Sequence, residues 1–340
     1  MTSDIKKKLP TFLVLLGCSL LVLGMILISL LYKDMNTALD ISEPIVVDIT
    51  PGTAFSAITS DFTAREIIKN PVSFSVWARL TGIADRVQAG KYEIDGNLSQ
   101  LTLLDKLVNG DVIQYQVTIV EGWTLQQALQ ALWQSEGVRI TLAEKTPAEI
   151  AVAVGVDYNN SEGLFFPDTY NYSAGSSDLL LLQRANERMG QVLDQAWESR
   201  LGALPYTTAY DALIMASIVE KETAVASERE AIAGVFVRRL EQGMRLQSDP
   251  TVIYGLGTDF DGNLTRENLQ TITDYNTYRV AGLPPTPIAL PGRASIEASL
   301  NPAPGDALYF VARGDGSHYF SATLEEHNEA VRRFQQGGGN

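Results

Sequence analysis

Ala216-Ser217-Ile218-Val219-Glu220-Lys221-Glu222-Thr223 closes an apolar run that begins at Ala212. Ala212-Leu213-Ile214-Met215-Ala216-Ser217-Ile218-Val219 reads as a helix buried on several faces. At helical spacing Glu220 falls on the stripe that holds Leu213, Ala216 and Ser217. A carboxyl group turned toward an interior is costly unless it is paired or protonated. A carboxylic acid that keeps its proton at neutral pH is what breaking a glycosidic bond requires. The plainer alternative makes Glu220 the first polar residue past a core helix, meeting solvent. Glu222 is the competing carboxylate. Two positions on, it points to a different part of the helix surface, as a solvated or ion-paired residue or as a partner for a cation.

Upstream, Lys6, Lys7 and Lys8 precede an uncharged apolar run from Leu9 to Tyr32. That run is long enough to cross a hydrocarbon core as a helix, and the lysines favour a cytoplasmic N-terminus. A cleaved signal peptide would have a shorter apolar region. Leu15-Leu16-Gly17-Cys18 loosely resembles a lipoprotein cleavage site, but Ser19 to Leu31 stays apolar, as in an uncleaved anchor. Cys18, the single cysteine, lies inside the span, so no disulfide supports the outer portion. The net charge is −14; residues 1–8 contribute +2, which leaves −16 beyond the span. So acidic an outer portion argues against nucleic acid and against anionic lipid heads. A carbohydrate, read by hydrogen bonds and ring stacking, remains compatible. With only two histidines and no outer cysteine, no metal site is expected. No glycine pattern for a nucleotide cofactor appears, and no cofactor is expected.

The sequence divides into a tail (1–8), a span (9–32), a polar tether (33–42), a small unit (43–115), a larger unit (116–336) and a glycine-rich tail (337–340). In the small unit, Ile45–Ile49 and Ala89–Ile94 read as strands, with helices over Thr53–Phe62, after Asn70-Pro71, and over Leu101–Val108 before Asn109-Gly110. In the larger unit, Gln116–Val120 reads as a strand, with Thr124 as N-cap of a helix from Leu125 to Gln134. A long helix follows over Leu179–Leu201. Ser227 with Glu230 reads as a capping box, as does Thr323 with Glu326. Ala307–Val311 and His318–Ser321 flank a glycine-rich turn as a hairpin. The expected class is α+β: a transmembrane helix, a small α+β subdomain and a larger mixed α/β domain.

Further polar clusters follow. Gln247-Ser248-Asp249-Pro250-Thr251 reads as an extended or turn segment rich in donors and acceptors. Tyr275-Asn276-Thr277-Tyr278 precedes the stiff Gly282-Leu283-Pro284-Pro285-Thr286-Pro287. Rigid loops bearing amides, hydroxyls and tyrosines suit a sugar; read singly, each is equally an ordinary loop. On these grounds Gln247, Ser248, Asp249, Asn276, Tyr278 and His318 are candidates for substrate contact, with Glu222 beside them.

In this order the motifs are specific. Ala89-Gly90-Lys91-Tyr92, Val117-Thr118-Ile119-Val120-Glu121-Gly122, Glu162-Gly163-Leu164-Phe165-Phe166-Pro167-Asp168-Thr169-Tyr170, Ala216 to Thr223, Leu246 to Val252, Tyr275 to Tyr278, Gly282 to Pro285 and Gly316 to Ser321 together resemble the endolytic murein transglycosylases of the MltG (YceG-like) family. Arg238, Leu290 and Asp274 stand where that pattern usually has Asn, Asn and Pro. The resemblance implies an inner-membrane, single-pass protein with a periplasmic catalytic domain and a LysM-like first unit. It implies that Glu220 is the acid/base that cleaves MurNAc–GlcNAc bonds in nascent peptidoglycan strands, leaving 1,6-anhydroMurNAc ends. It also implies coupling to penicillin-binding synthases. The rival readings are a water-consuming muramidase and a non-catalytic wall-binding scaffold.

Overall fold

The structure, a computed structural model, describes residues 3–336, with side chains described over 13–335. The start of the expected N-terminal tail and the 337–340 tail lie outside the described residues. Contacts divide the chain into two units: residues up to 115 with 173–175, and residues 116–172 with those from 176 onward.

In the first unit, α1 (Ser3–Met35) carries an apolar stretch, Leu13–Met35, with a window of mean hydropathy 2.8 that is unburied. It is long and apolar enough to cross a membrane. The expected tether at 33–42 is instead part of the fold. Met35 is fully buried and Leu39 nearly so. Gln100 donates to Asp34 O (3.2 Å), and Lys69 Nζ reaches Asp40 at 2.9 Å. Apolar residues at the helix end and after it make ordering this stretch favourable.

Strands β1 (Ile45–Ile49) and β2 (Gly90–Ile94) pair antiparallel, with Val47 opposite Tyr92. Helices α2 (Phe55–Ala64), α3 (Pro71–Leu80) and α4 (Gln100–Asn109) cover them. Leu103, Leu104 and Leu107 recur at helical spacing and are fully buried with Phe62, Phe74 and Tyr92. Ser99 and Thr102 close a capping box on α4, and Gly110 ends it in the left-handed conformation (φ 67°).

The second unit carries most of β3 (Gln114–Thr118), α5 (Leu125–Gln134), α6 (Pro147–Val154), most of β4 (Thr169–Ser173), α7 (Asp178–Glu198), α8 (Ala209–Glu222), α9 (Arg229–Glu241), α10 (Asp249–Leu256), α11 (Arg266–Gln270), α12 (Arg293–Leu300), β5 (Tyr309–Ala312), β6 (His318–Ser321) and α13 (Leu324–Val331). β3 pairs with β4, and β5 with β6 as an antiparallel hairpin. The mixture of helices with small sheets is the expected α+β class.

Helix α8 is the centre of this unit. Thr208 and Asp211 form its capping box, and every residue from Ala212 to Val219 is buried. Helices α7, α9, α10 and α12 pack around it. Each fully buried Leu, Ile or Val contributes about 1.5–3 kcal/mol, so a helix apolar on all sides belongs inside. Ser217, the one polar residue in the run, is satisfied. Its hydroxyl donates to Ile214 O (2.7 Å) and accepts from Ile288 N–H (3.0 Å). That bond draws the segment before α12 onto α8. Arg238 donates to Ala307 O (2.8 Å) and Ala303 O (3.1 Å), holding the chain that leads into β5.

Three local expectations change. Ser227 does not cap α9; it lies in a 3-10 turn, Ala226–Glu228, and the helix starts at Arg229 without a side-chain cap. Asp249-Pro250 opens α10 rather than an extended turn, because proline is well suited to a first helical turn. α6, α11 and α12 are additional helices.

Candidate active site

Helix α8 carries Glu220 out of the core in its last turn, where the side chain is 7% exposed. One carboxylate oxygen, Oε2, accepts the Gly292 N–H (3.0 Å) and the Ser295 hydroxyl (2.6 Å). The other, Oε1, lies 3.8 Å from Arg229 Nη2. Gly292 is the residue before α12 and Ser295 lies in its first turn. The carboxylate therefore caps the positive end of α12, where negative charge is favoured. The expected apolar surroundings of Glu220 are thus corrected. Its stem leaves an apolar core, but its charged end meets two donors and a guanidinium.

A cleft of about 490 Å³ opens over this point, lined among others by Glu121, Trp123, Glu220, Glu222, Thr223 and Arg229. Glu121 follows the strand β3 and precedes α5. Gly122 N–H donates to Leu290 O (2.8 Å), and Leu290 N–H donates to Trp123 O (2.7 Å). Lys221 Nζ donates to Gly122 O (3.1 Å). These bonds fix the turn beside Gly292. Glu121 as a whole is exposed, yet its carboxyl lies directly over Gly292: a methyl group built there would strike it. Partial burial, then the neighbouring Glu220, pushes the Glu121 carboxyl up, with Arg229 acting the other way. Sequence reasoning missed Glu121, Arg229, Gly292 and Ser295. The one available signal was Glu121-Gly122 between a strand and a capped helix.

Of the sequence candidates, Glu220 and Glu222 line this cleft. Glu222 is not a solvated surface residue. Its carboxyl accepts the Ser248 hydroxyl at 2.5 Å. Burial pushes it up to about 7; the Ser248 bond opposes this, Asp249 adds to it, and His318 and Arg239 oppose it. Ser248 is 1% exposed, with its N–H donating to Thr277 Oγ1 (3.0 Å). Asp249 accepts the Tyr278 hydroxyl at 2.6 Å. Gln247 is exposed and sits in the left-handed region (φ 52°), uncommon for a non-glycine residue and costly unless the surroundings hold it. His318 is held by Glu228, with Nδ1 2.7 Å from Oε2 and its N–H donating to Oε1. Apart from Asn276 and the exposed Gln247, these residues gather around the end of α8 as a supporting network.

Asn276 is a correction. It is fully buried, its amide nitrogen donates to Asn268 O, Leu269 O and Thr271 O, and its oxygen accepts the Tyr278 N–H. With every polar atom spent on loop backbone it staples the loop. Ser248 is corrected likewise: so buried, it meets Glu222 rather than a ligand. Among the described residues, no group of His, Cys, Asp and Glu side chains converges as metal ligands.

Comparison with known proteins gives the family. A protein of Bacillus subtilis named endolytic murein transglycosylase is 31% identical over 319 residues, covering 89% of this chain and 86% of that protein. A Streptococcus pneumoniae protein of the same name is 28% identical over 90% of this chain, which spans 60% of that protein's length. The crystal structure of a YceG-like protein from Listeria monocytogenes superposes with a TM-score of 0.52 at 28% identity, covering 84% of this chain and 99% of that one. A profile of the YceG-like family matches residues 47–333, and the chain belongs to that family.

Proposed function

We propose that this protein is a membrane-anchored lytic transglycosylase that cleaves the MurNAc–GlcNAc bond of peptidoglycan strands, with Glu220 as the acid/base. The observation that carries this reading is the seating of Glu220 beneath the cleft, its charge met by Gly292, Ser295 and Arg229. A proton leaves Glu220 for the bridging oxygen, and the C1–O bond breaks. Donors already aimed at the resulting carboxylate stabilise it without reorganisation. The carboxylate then takes the proton of the C6 hydroxyl of the same MurNAc. The freed oxygen bonds to C1 and closes the 1,6-anhydro ring. One proton leaves the protein and one returns, and no water is consumed.

The names of the relatives support the substrate class. The apolar stretch of α1 supplies a candidate anchor; the lysines before that stretch favour an inner-membrane topology with the N-terminus in the cytoplasm and the rest in the periplasm. We assign residues 43–115 as the LysM-like subdomain and 116–336 as the catalytic domain. On this reading the enzyme cuts nascent strands beside penicillin-binding synthases and so limits glycan length.

A muramidase is the second reading, favoured by one observation: Glu121 supplies a carboxyl beside Glu220, and hydrolysis needs such a pair. The test uses the full-length protein in detergent on intact glycan strands. Wild type should release anhydro ends, and Glu220→Gln should lose roughly 10²–10⁴-fold in rate with an unchanged melting curve. Reducing ends would favour the muramidase. Undiminished cleavage by Glu220→Gln would remove Glu220 as the acid/base, whereas full complementation of a deletion by that variant would favour the non-catalytic scaffold.

A further inference from the structure

The surroundings of Glu220 raise a question of supply. Two donors and an arginine are aimed at its carboxyl, and the first step needs a proton there. Glu121 answers that need. Its carboxyl lies over Cα of Gly292, while the N–H of the same glycine holds Glu220. The two acids thus meet at one residue, from β3–α5 on one side and α8 on the other.

We propose that Glu121 and Glu220 act as a pair that holds one proton between them at rest, with Glu121 the positioning residue whose charge keeps that proton available to Glu220. This rests on the transglycosylase reading of the cleft. Like charges at close quarters do not both ionise readily, so the last proton of such a pair comes off late. The upward push on Glu121 from burial and from Glu220 accords with this. The other charged groups around the pair are Lys221 and Glu222 from α8, Arg229 from α9 and Arg293 from α12. Lys221 is spent on Gly122 O, Glu222 on Ser248, and Arg293 lies 3.6 Å from Glu297. Arg229 is the cation that opposes the pair's hold on its proton. In each turnover the shared proton goes to the leaving oxygen and the C6 hydroxyl proton replaces it, so the pair ends as it began.

The pair has a signature that packing alone lacks. Removing the Glu121 carboxyl leaves one acid where there were two, and the late last proton of a pair is lost with it. The alkaline fall of kcat/KM should therefore move down.

The experiment measures kcat/KM against pH for the full-length protein in detergent, with product ends identified, for wild type, Glu121→Gln, Glu121→Asp and Gly292→Ala. Glu121→Gln should shift the alkaline limb down by about one pH unit, an about tenfold loss on that limb. Glu121→Asp keeps the charge and should hold the limb near wild type. Gly292→Ala keeps the backbone donor, and its φ of −75° accepts any residue. Its methyl would displace the Glu121 carboxyl and move the limb as Glu121→Gln does, so it carries the test should Glu121→Gln fail to fold. An unmoved limb in Glu121→Gln, or in Gly292→Ala standing in for it, with anhydro ends retained, overturns the pair and leaves the reaction assignment intact. Reducing ends from wild type would overturn the reaction assignment itself.

Discussion

The Ser295 hydroxyl donates to Glu220 Oε2 at 2.6 Å, joining the end of one buried helix to the start of another. Ser295 is fully buried, so no water can take its place at full strength. A hydrogen bond to a charged group contributes about 1.5–3 kcal/mol. Ser295→Ala should therefore lower kcat by roughly tenfold or more, with KM little changed, because the bond matters most when Glu220 is ionised. Steady-state kinetics on glycan strands checks this. A kcat equal to wild type would remove Ser295 from the machinery.

Glu222 makes a prediction about stability and pH. Its carboxyl is pushed from 4.5 up to about 7 by burial. The folded protein thus holds this proton more tightly than the unfolded chain. Stability is full below about pH 4.5, falls as pH rises to about 7, and stays lower above that. A tenfold difference in proton affinity corresponds to about 1.4 kcal/mol, so the loss is at most about 3.5 kcal/mol. Glu162, also pushed up to about 7 by burial, adds a fall in the same window. Glu222→Gln keeps an acceptor for Ser248 and should roughly halve the decline in Tm between pH 5 and pH 7.5. An identical slope in variant and wild type would show that Glu222 does not titrate there.

Helix α8 was legible because an apolar run bounded by Thr208 and Glu222 has one sensible home. The exit of Glu220 at its end followed from spacing alone. What meets Glu220 was not legible. Gly292 and Ser295 lie 72 and 75 positions away, and no periodicity joins them to it. Asn276 misled because a polar loop residue looks like a ligand contact. Only the folded chain shows three carbonyls consuming its amide. Asp249-Pro250 misled because proline both ends and begins helices, and here it begins α10.

Gly163 lies in the segment leading to β4, with φ 80°, and a Cβ there would strike the Pro287 ring. Two costs coincide at this position. A side chain in the left-handed region costs about 1–2 kcal/mol, and forcing apart a packed contact about 1–3 kcal/mol. A proline ring cannot swing aside as a long side chain can. Gly163→Ala should destabilise the second unit by roughly 2–5 kcal/mol, read as a lower midpoint in urea. A midpoint within error of wild type would mean that the 284–290 segment moves freely.

Arg239 underlies the Glu222 network. It is 6% exposed, with Nε donating to Leu308 O (2.7 Å) and Nη1 to Leu246 O (2.6 Å). Its guanidinium also faces the Tyr309 ring at 5.2 Å. Leu246 leads directly into Gln247 and Ser248, so this one side chain pins both the β5 hairpin and the loop that serves Glu222. Arg239→Met preserves bulk but leaves two buried carbonyls unpaired, at about 1–3 kcal/mol each. Arg239→Lys should restore little, since a point charge on a flexible stem cannot reach two divergent acceptors as a planar fork does. Denaturant unfolding should place both variants well below wild type, with the pH dependence assigned to Glu222 altered in each as Ser248 loses its anchor. A lysine variant as stable as wild type would show that the charge, and not the forked geometry, is what the fold requires at this position.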